Sequence, residues 1–270
     1  MKRIYLSVFV IIFSCNSTQN LDEELIDLCK AGRYNDLYEK MASLKESSTK
    51  AKYYEFRVFL DREVIAGYTE KVITVEEHIQ SKENKSMYSL DEYKLYLITD
   101  STDKIQAYRL VEPRLEKGVD GNWEKFEDIL SKSDQLYPKE MQEDFNRLYG
   151  VNFDYNYLFQ YEIYFGESCG QDGNPPEYRY YLEKAIVEKD TATINKWLFS
   201  PVAEKQLYAI EGILRLGNEG HSFDSATHSI IKEVSRKEGY AQTCAGCEYG
   251  DQQEIRKLVE IIKKRILQEL

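Results

Sequence analysis

The stretch "YKLYLITDSTDKIQAYRLVEP", Tyr93 to Pro113, decides the fold class. Two runs rich in β-branched and aromatic residues, Tyr93–Thr99 and Lys104–Val111, flank the polar tetrad Asp100-Ser101-Thr102-Asp103. Runs of this kind around an Asp/Ser cluster form the arms and turn of an antiparallel hairpin. Pro113 has no N–H to give to a ladder and is expected to end the second arm.

Working outward, "VITVEEHI" (72–79) is β-branched and strand-like. "FDYNYLFQYEIYF" (153–165) places Phe153, Tyr155, Tyr157, Phe159, Tyr161, Ile163 and Phe165 on odd positions, with mostly polar residues between them. That alternation predicts a further strand with one aromatic face. Upstream, Leu21, Leu25 and Leu28, then Leu37, Met41 and Leu44, have helical spacing on either side of Gly32. They predict an αα-hairpin, similar to one unit of a tetratricopeptide-type repeat, without a further copy at a fixed period.

The loop "GESCGQDGNPPE" (166–177) joins this part to a C-terminal third with helical patterning. Pro176 and Ser200-Pro201 mark helix starts, and Asp224 marks another. Ala203, Leu207, Ile210 and Leu214 form one stripe, and Ile230, Ile231 and Val234 a second. A last helix is expected to open with Asp251 and Glu254 and to bury Ile255, Leu258, Val259, Ile262 and Ile266. In spacing alone this third resembles stacked HEAT-like helix pairs. The predicted class is α+β, with a helical hairpin, an antiparallel aromatic-faced sheet and a helical C-terminal region. Residues 21–166 are the α+β region and 167–270 the helical one.

The chain opens "MKRIYLSVFVIIFSCNSTQN". Lys2 and Arg3 precede an apolar run from Ile4 to Phe13, too short to span a membrane and of signal-peptide length. Ile12-Phe13-Ser14-Cys15 resembles the lipobox of bacterial lipoproteins, with Phe13 departing from the small or aliphatic residue usual there. The resemblance covers these first fifteen residues. It implies a signal peptide at 1–14, acyl chains (palmitate among them) on Cys15, and a tether over 15–20. The chain would then sit in the bacterial cell envelope, membrane-anchored on the periplasmic face or at the cell surface. The formal charge of −11, without a basic patch interleaved with aromatics, argues against nucleic acid as a partner.

Three constellations bear on chemistry. "GESCG" (166–170) has the letters of a nucleophile elbow around Ser168, but the following "QDGNPP" cannot start the helix that an elbow needs. His221 and His228 are spaced H-x6-H, not the H-x3–5-H of zinc sites. Cys244 and Cys247 form C-x-x-C without the strand–helix setting of a thiol oxidoreductase. In an oxidising compartment, Cys169, Cys244 and Cys247 are disulfide candidates. A Cys244–Cys247 bridge closes a very short loop; one from Cys169 to either closes about 75 residues and stabilises by roughly 4 kcal/mol.

No catalytic residue, metal ligand or cofactor is assigned. The expected function is a non-enzymatic binding or scaffolding lipoprotein with an unknown protein partner. The alternatives are a periplasmic thiol-disulfide oxidoreductase using Cys244 and Cys247, and a glycan-binding surface lipoprotein using the aromatics of 153–165.

Overall fold

A computed structural model describes residues 20–117, 122–170, 172–245 and 248–268. The chain is α+β, with eight α-helices, a five-stranded antiparallel sheet and a two-stranded one among the described residues. Helices α1 (Leu21–Ala31) and α2 (Tyr34–Glu46) form the expected hairpin, turned at Gly32 with φ 74°. Strands β1 (Lys52–Ile65), β2 (Tyr68–Gln80), β3 (Tyr88–Asp100), β4 (Ile105–Lys117) and β5 (Trp123–Lys132) then meander in sequence order.

The 93–113 hairpin is present, and Leu95 faces Leu110 across it. Its turn is tied by one carboxylate. Asp100 Oδ1 accepts hydrogen bonds from the Thr102 and Lys104 amides at 2.8 and 3.1 Å and from Thr102 Oγ1 at 2.7 Å, and Oδ2 accepts from Gln106. Slight burial works to raise the Asp100 pKa, but these hydrogen bonds outweigh it and hold the carboxyl down at about 2. An unfolded Asp titrates near 3.9. The turn therefore gains stability above pH ~4 and loses it as pH falls through about 2. Asp100→Ala is expected to cost about 1 kcal/mol at pH 7, and the gap to the parent should close towards pH 2. Urea titrations at several pH values measure this; a gap that stays constant with pH would refute it.

Pro113 does not end β4. Beyond Val111 the strand pairs with β5 alone, and Pro113 lies opposite Glu127. The missing N–H costs nothing on the side where the β3 ladder has already stopped.

The middle of the sheet is buried on both faces, which explains why "VITV" is β-branched throughout and does not alternate with charged residues. On one face, Ile73, Val75, Leu95 and Leu97 meet Leu25, Leu37 and Met41 of the helical hairpin. The free Cys29 lies in this core, where burial pushes its thiol up to about 12. On the other face, Leu60, Val72, Tyr96 and Val111 are covered by Phe159 and Tyr161.

That cover is the 153–165 segment, and it is not a strand. It contains one 3-10 turn, Tyr155–Tyr157, a left-handed residue at Phe159 (φ 62°), and a single bridge from Phe165 to Thr243. Asp154 starts the turn by accepting from the Asn156 amide at 3.0 Å. Its aromatics do not share one face: Phe159 and Tyr161 pack on the sheet, Phe153 on Phe145 of the helix that precedes the segment, and Phe165 on Tyr208, while even-numbered Leu158 is buried. Phe153 and Phe165 are buried, while Tyr155 is exposed.

Helix α3 (Lys139–Tyr149) precedes this cover. After it come α4 (Glu177–Glu188), α5 (Thr191–Leu198), α6 (Ala203–Asn218) and α7 (Ser225–Val234). Strands β6 (Tyr240–Ala245) and β7 (Glu248–Glu254) follow, then α8 (Ile255–Gln268). The region 167–270 is thus interrupted by a β-hairpin. Asp251 lies within β7, opposite Thr243, and does not cap α8. Helix α6 is the hub of this half, touched by α4, α5, α7 and α8. It is buried on nearly every side, Glu204, Lys205 and Gln206 included, not only along its apolar stripe. Asp224 caps α7 as expected, accepting from the Thr227 amide at 2.8 Å. No helix among the described residues is long and apolar enough to cross a membrane.

Candidate functional site

The cysteine framework is set by the β6–β7 hairpin. The segment after Phe165 runs beside β6: Phe165 N–H donates to Gln242 O at 2.8 Å, and the Cys244 amide donates to Phe165 O at 3.2 Å. Gly166 then passes so close to the Cys244 carbonyl that a Cβ would collide with it. The Tyr208 hydroxyl and Arg179 Nε both donate to the Gly166 carbonyl, at 3.2 and 3.0 Å. This clamp brings the Cys169 and Cys244 sulfurs to disulfide distance, with Cα atoms 5.4 Å apart and both residues buried. Cys247 and the lipidation candidate Cys15 lie outside the described residues. Ser168 sits in the clamped loop, with no hydrogen bond to a histidine among the described residues. His221 precedes the α7 cap, and the exposed His228 is on α7 itself.

Close by, the sheet is joined to α6 by a fully buried charge cluster that sequence reasoning missed. Arg62 of β1 donates to Glu70 of β2 at 2.6 Å, to Glu204 of α6, and to the Gln160 carbonyl at 3.2 Å. Glu70 also accepts from the Phe159 amide, and Glu204 from the Gln242 amide, each at 2.8 Å. Burial pushes the Glu204 carboxyl up, and Arg62 pulls it back. With polar groups this well satisfied, the cluster reads as architecture and not as a reacting site.

The cavity with ligand-binding character opens at the first turn of α6. It is a cleft of about 760 Å3, a volume usual for small-molecule sites. The 3-10 turn supplies Tyr157, the first turn of α4 Tyr178, α5 Lys196 and Trp197, and the first turn of α6 Lys205; Phe145 of α3 forms the floor. Tyr178 and Trp197 meet edge to face at 5.5 Å between centroids. Lys205 is only 6% exposed. Its Nζ stands 4.4 Å from the Tyr157 ring centroid and 5.0 Å from that of Tyr178. Among the described residues it has no carboxylate within ion-pair distance and makes no hydrogen bond. Burial lowers its pKa, Lys196 and Arg62 add to the effect, and the more distant carboxylates of Glu204 and Glu177 oppose it without reversing it. A second depression of about 480 Å3 lies beyond Tyr178, lined by Phe159, Gln160, Tyr161, Glu162, Ile163 and Glu177.

Part of this site was visible in advance. The 153–165 aromatics line both depressions, though from a loop. Lys205 lies off the apolar stripe of α6, and nothing in its sequence neighbourhood marks it as buried. On β1 and β2, Glu55, Glu76 and His78 hold possible metal-ligand atoms within 4.8 Å of one another. His78 there is hydrogen-bonded to Glu76 at 3.0 Å and stacked on Tyr53.

No known protein family, curated protein or solved structure matches this chain.

Proposed function

We propose that the chain is a non-enzymatic binding protein of the bacterial envelope, anchored through lipid on Cys15, and that the cleft around Lys205 is its ligand site. The observation that carries the binding reading is the state of Lys205. A buried ammonium normally takes a carboxylate partner. Here it rests on two tyrosine faces, which attract it by cation–π interaction at a fraction of an ion pair's strength when buried. It thus keeps its hydrogen-bonding capacity for a ligand. The lipobox-like sequence alone supports the anchor. The pairing of Cys244 with Cys169, both buried, favours a staple over thiol-disulfide exchange at Cys244 and Cys247, because exchange needs an accessible thiolate.

Native mass spectrometry of the chain extracted from its own membranes tests both halves. The expected spectrum shows the chain without residues 1–14, an acyl increment that Cys15→Ala lacks, and a further non-covalent ligand increment that Tyr178→Ala lacks. An unmodified Cys15 would refute the anchor. A parent spectrum without any ligand increment, or an increment that Tyr178→Ala retains, would refute the site.

A further inference from the structure

We propose that the cleft takes an acidic sugar, with its carboxylate on Lys205 and its ring against the aromatic wall. This rests on the cleft being the ligand site and deepens it.

Three observations converge. The first is the sign of the charge. Lys205 and Lys196 are both in the cleft lining, and Lys205 has no counter-ion among the described residues. An arriving anion would supply the missing partner and form a charge-assisted hydrogen bond. The second is the wall. Tyr157, Tyr178 and Trp197 offer flat apolar surface with polar edges, which suits a ring carrying C–H bonds on its faces and hydroxyls around its rim. Asn152, Asp154 and Thr193 line the same cleft and offer polar atoms to such hydroxyls. The third is extent. The second depression shares Tyr178 with the first and continues along Phe159 and Tyr161. Two adjoining aromatic depressions fit two consecutive sugar units. The second contains Glu162 and Glu177 and has no lysine or arginine in its lining, so the anionic unit belongs in the first and an uncharged one in the second.

The test uses the full chain carrying Trp123→Phe. The protein has two tryptophans. Trp123 is 70% exposed on β5, so its removal leaves Trp197 as the reporter inside the cleft. The probes are a disaccharide of glucuronate linked to glucose, the neutral disaccharide of the same linkage, and inorganic sulfate. The acidic disaccharide is expected to change Trp197 fluorescence saturably and to bind about 10- to 100-fold more tightly than the neutral one. Lys205→Gln should remove that preference and Lys205→Arg should keep it. Lys196→Gln, on the exposed rim where folding is not at stake, should weaken the acidic probe by about two- to fivefold and leave the neutral one unchanged. Equal affinity for both sugars, or a preference untouched by Lys205→Gln and Lys196→Gln, overturns the acid assignment while leaving a sugar-binding cleft. Sulfate binding as tightly as the acidic disaccharide overturns the sugar assignment. No response to any probe overturns the inference as a whole, and the co-purifying ligand then decides separately whether the cleft binds anything.

Discussion

Arg62→Ala is expected to lower the unfolding free energy by about 3–5 kcal/mol, enough to unfold a marginal domain. Arg62 is the single cation between two buried carboxylates, Glu70 and Glu204. Its removal takes away the attraction and leaves both desolvation costs in place. The pH dependence gives the cause. Arg62 lowers the Glu204 pKa against burial; without it the carboxyl is pushed further up. The folded variant then holds more protons than its unfolded chain at pH values above ~4.3, so it should regain stability as pH falls from 7. The parent, whose Glu204 carboxyl is raised less because Arg62 opposes burial, should show the same trend more weakly. Denaturant titrations of both proteins at pH 7 and pH 5 read this directly. A loss below about 1 kcal/mol would mean that water reaches the cluster. Replacing Arg62, Glu70 and Glu204 together by apolar residues of similar volume should cost far less than Arg62→Ala alone, because no charge is then stranded.

The second large effect concerns the bridge between Cys169 and Cys244, which are 75 residues apart in sequence. On chain-entropy grounds a closed loop of this length stabilises by about 4 kcal/mol. Cys169→Ala/Cys244→Ala should lose about that much, and the parent treated with dithiothreitol should fall to a similar level. The double variant should be insensitive to the reductant. Loss of stability in the variant without any effect of reductant on the parent would point to lost packing, since both residues are buried. A mass map showing Cys244 bonded to Cys247 would exclude the pairing.

Local chemistry decided what could be read from sequence. The 93–113 hairpin was legible because its arms are apolar and Asp100 makes the turn by itself. The αα-hairpin was legible from two stripes and one glycine. The 153–165 segment misled because its odd-numbered aromatics serve different neighbours, Phe145 for Phe153, the sheet for Phe159 and Tyr161, and Tyr208 for Phe165, and a turn at 155–157 breaks the two-residue period that the letters suggest. Strands β6 and β7 were missed for the opposite reason. "EYGDQQE" has no apolar alternation, and its place is fixed by partners far along the chain, such as Gln252 Nε2 donating to the Val58 and Phe59 carbonyls at 3.3 Å. The cluster of Arg62, Glu70 and Glu204 could not be read at all, because 142 residues separate Arg62 from Glu204. A buried charge leaves no periodic trace. Gly239 is a similar case. Its φ is 94°, and its α-carbon lies so near Arg62 and the Asp61 carbonyl that no side chain fits, yet in sequence it looks like an ordinary helix stop.

The length of the strands has a consequence for how an anchored molecule would be presented. The N-terminus of α1 lies at the end of the sheet where Asn20, Lys52, Glu77 and Asp91 come together. The α6 junction lies in the row where Arg62 faces Glu70. From Glu70 to Glu77 is seven residues of β2, about 23 Å of strand. A six-residue tether over 15–20 reaches at most about 20 Å when extended. In the proposed arrangement the protein hangs from the bilayer by the near end of a stiff sheet. With such an anchor the sheet would act as a spacer, setting the row of Arg62 and Glu70 about 23 Å of strand away from the tethered end.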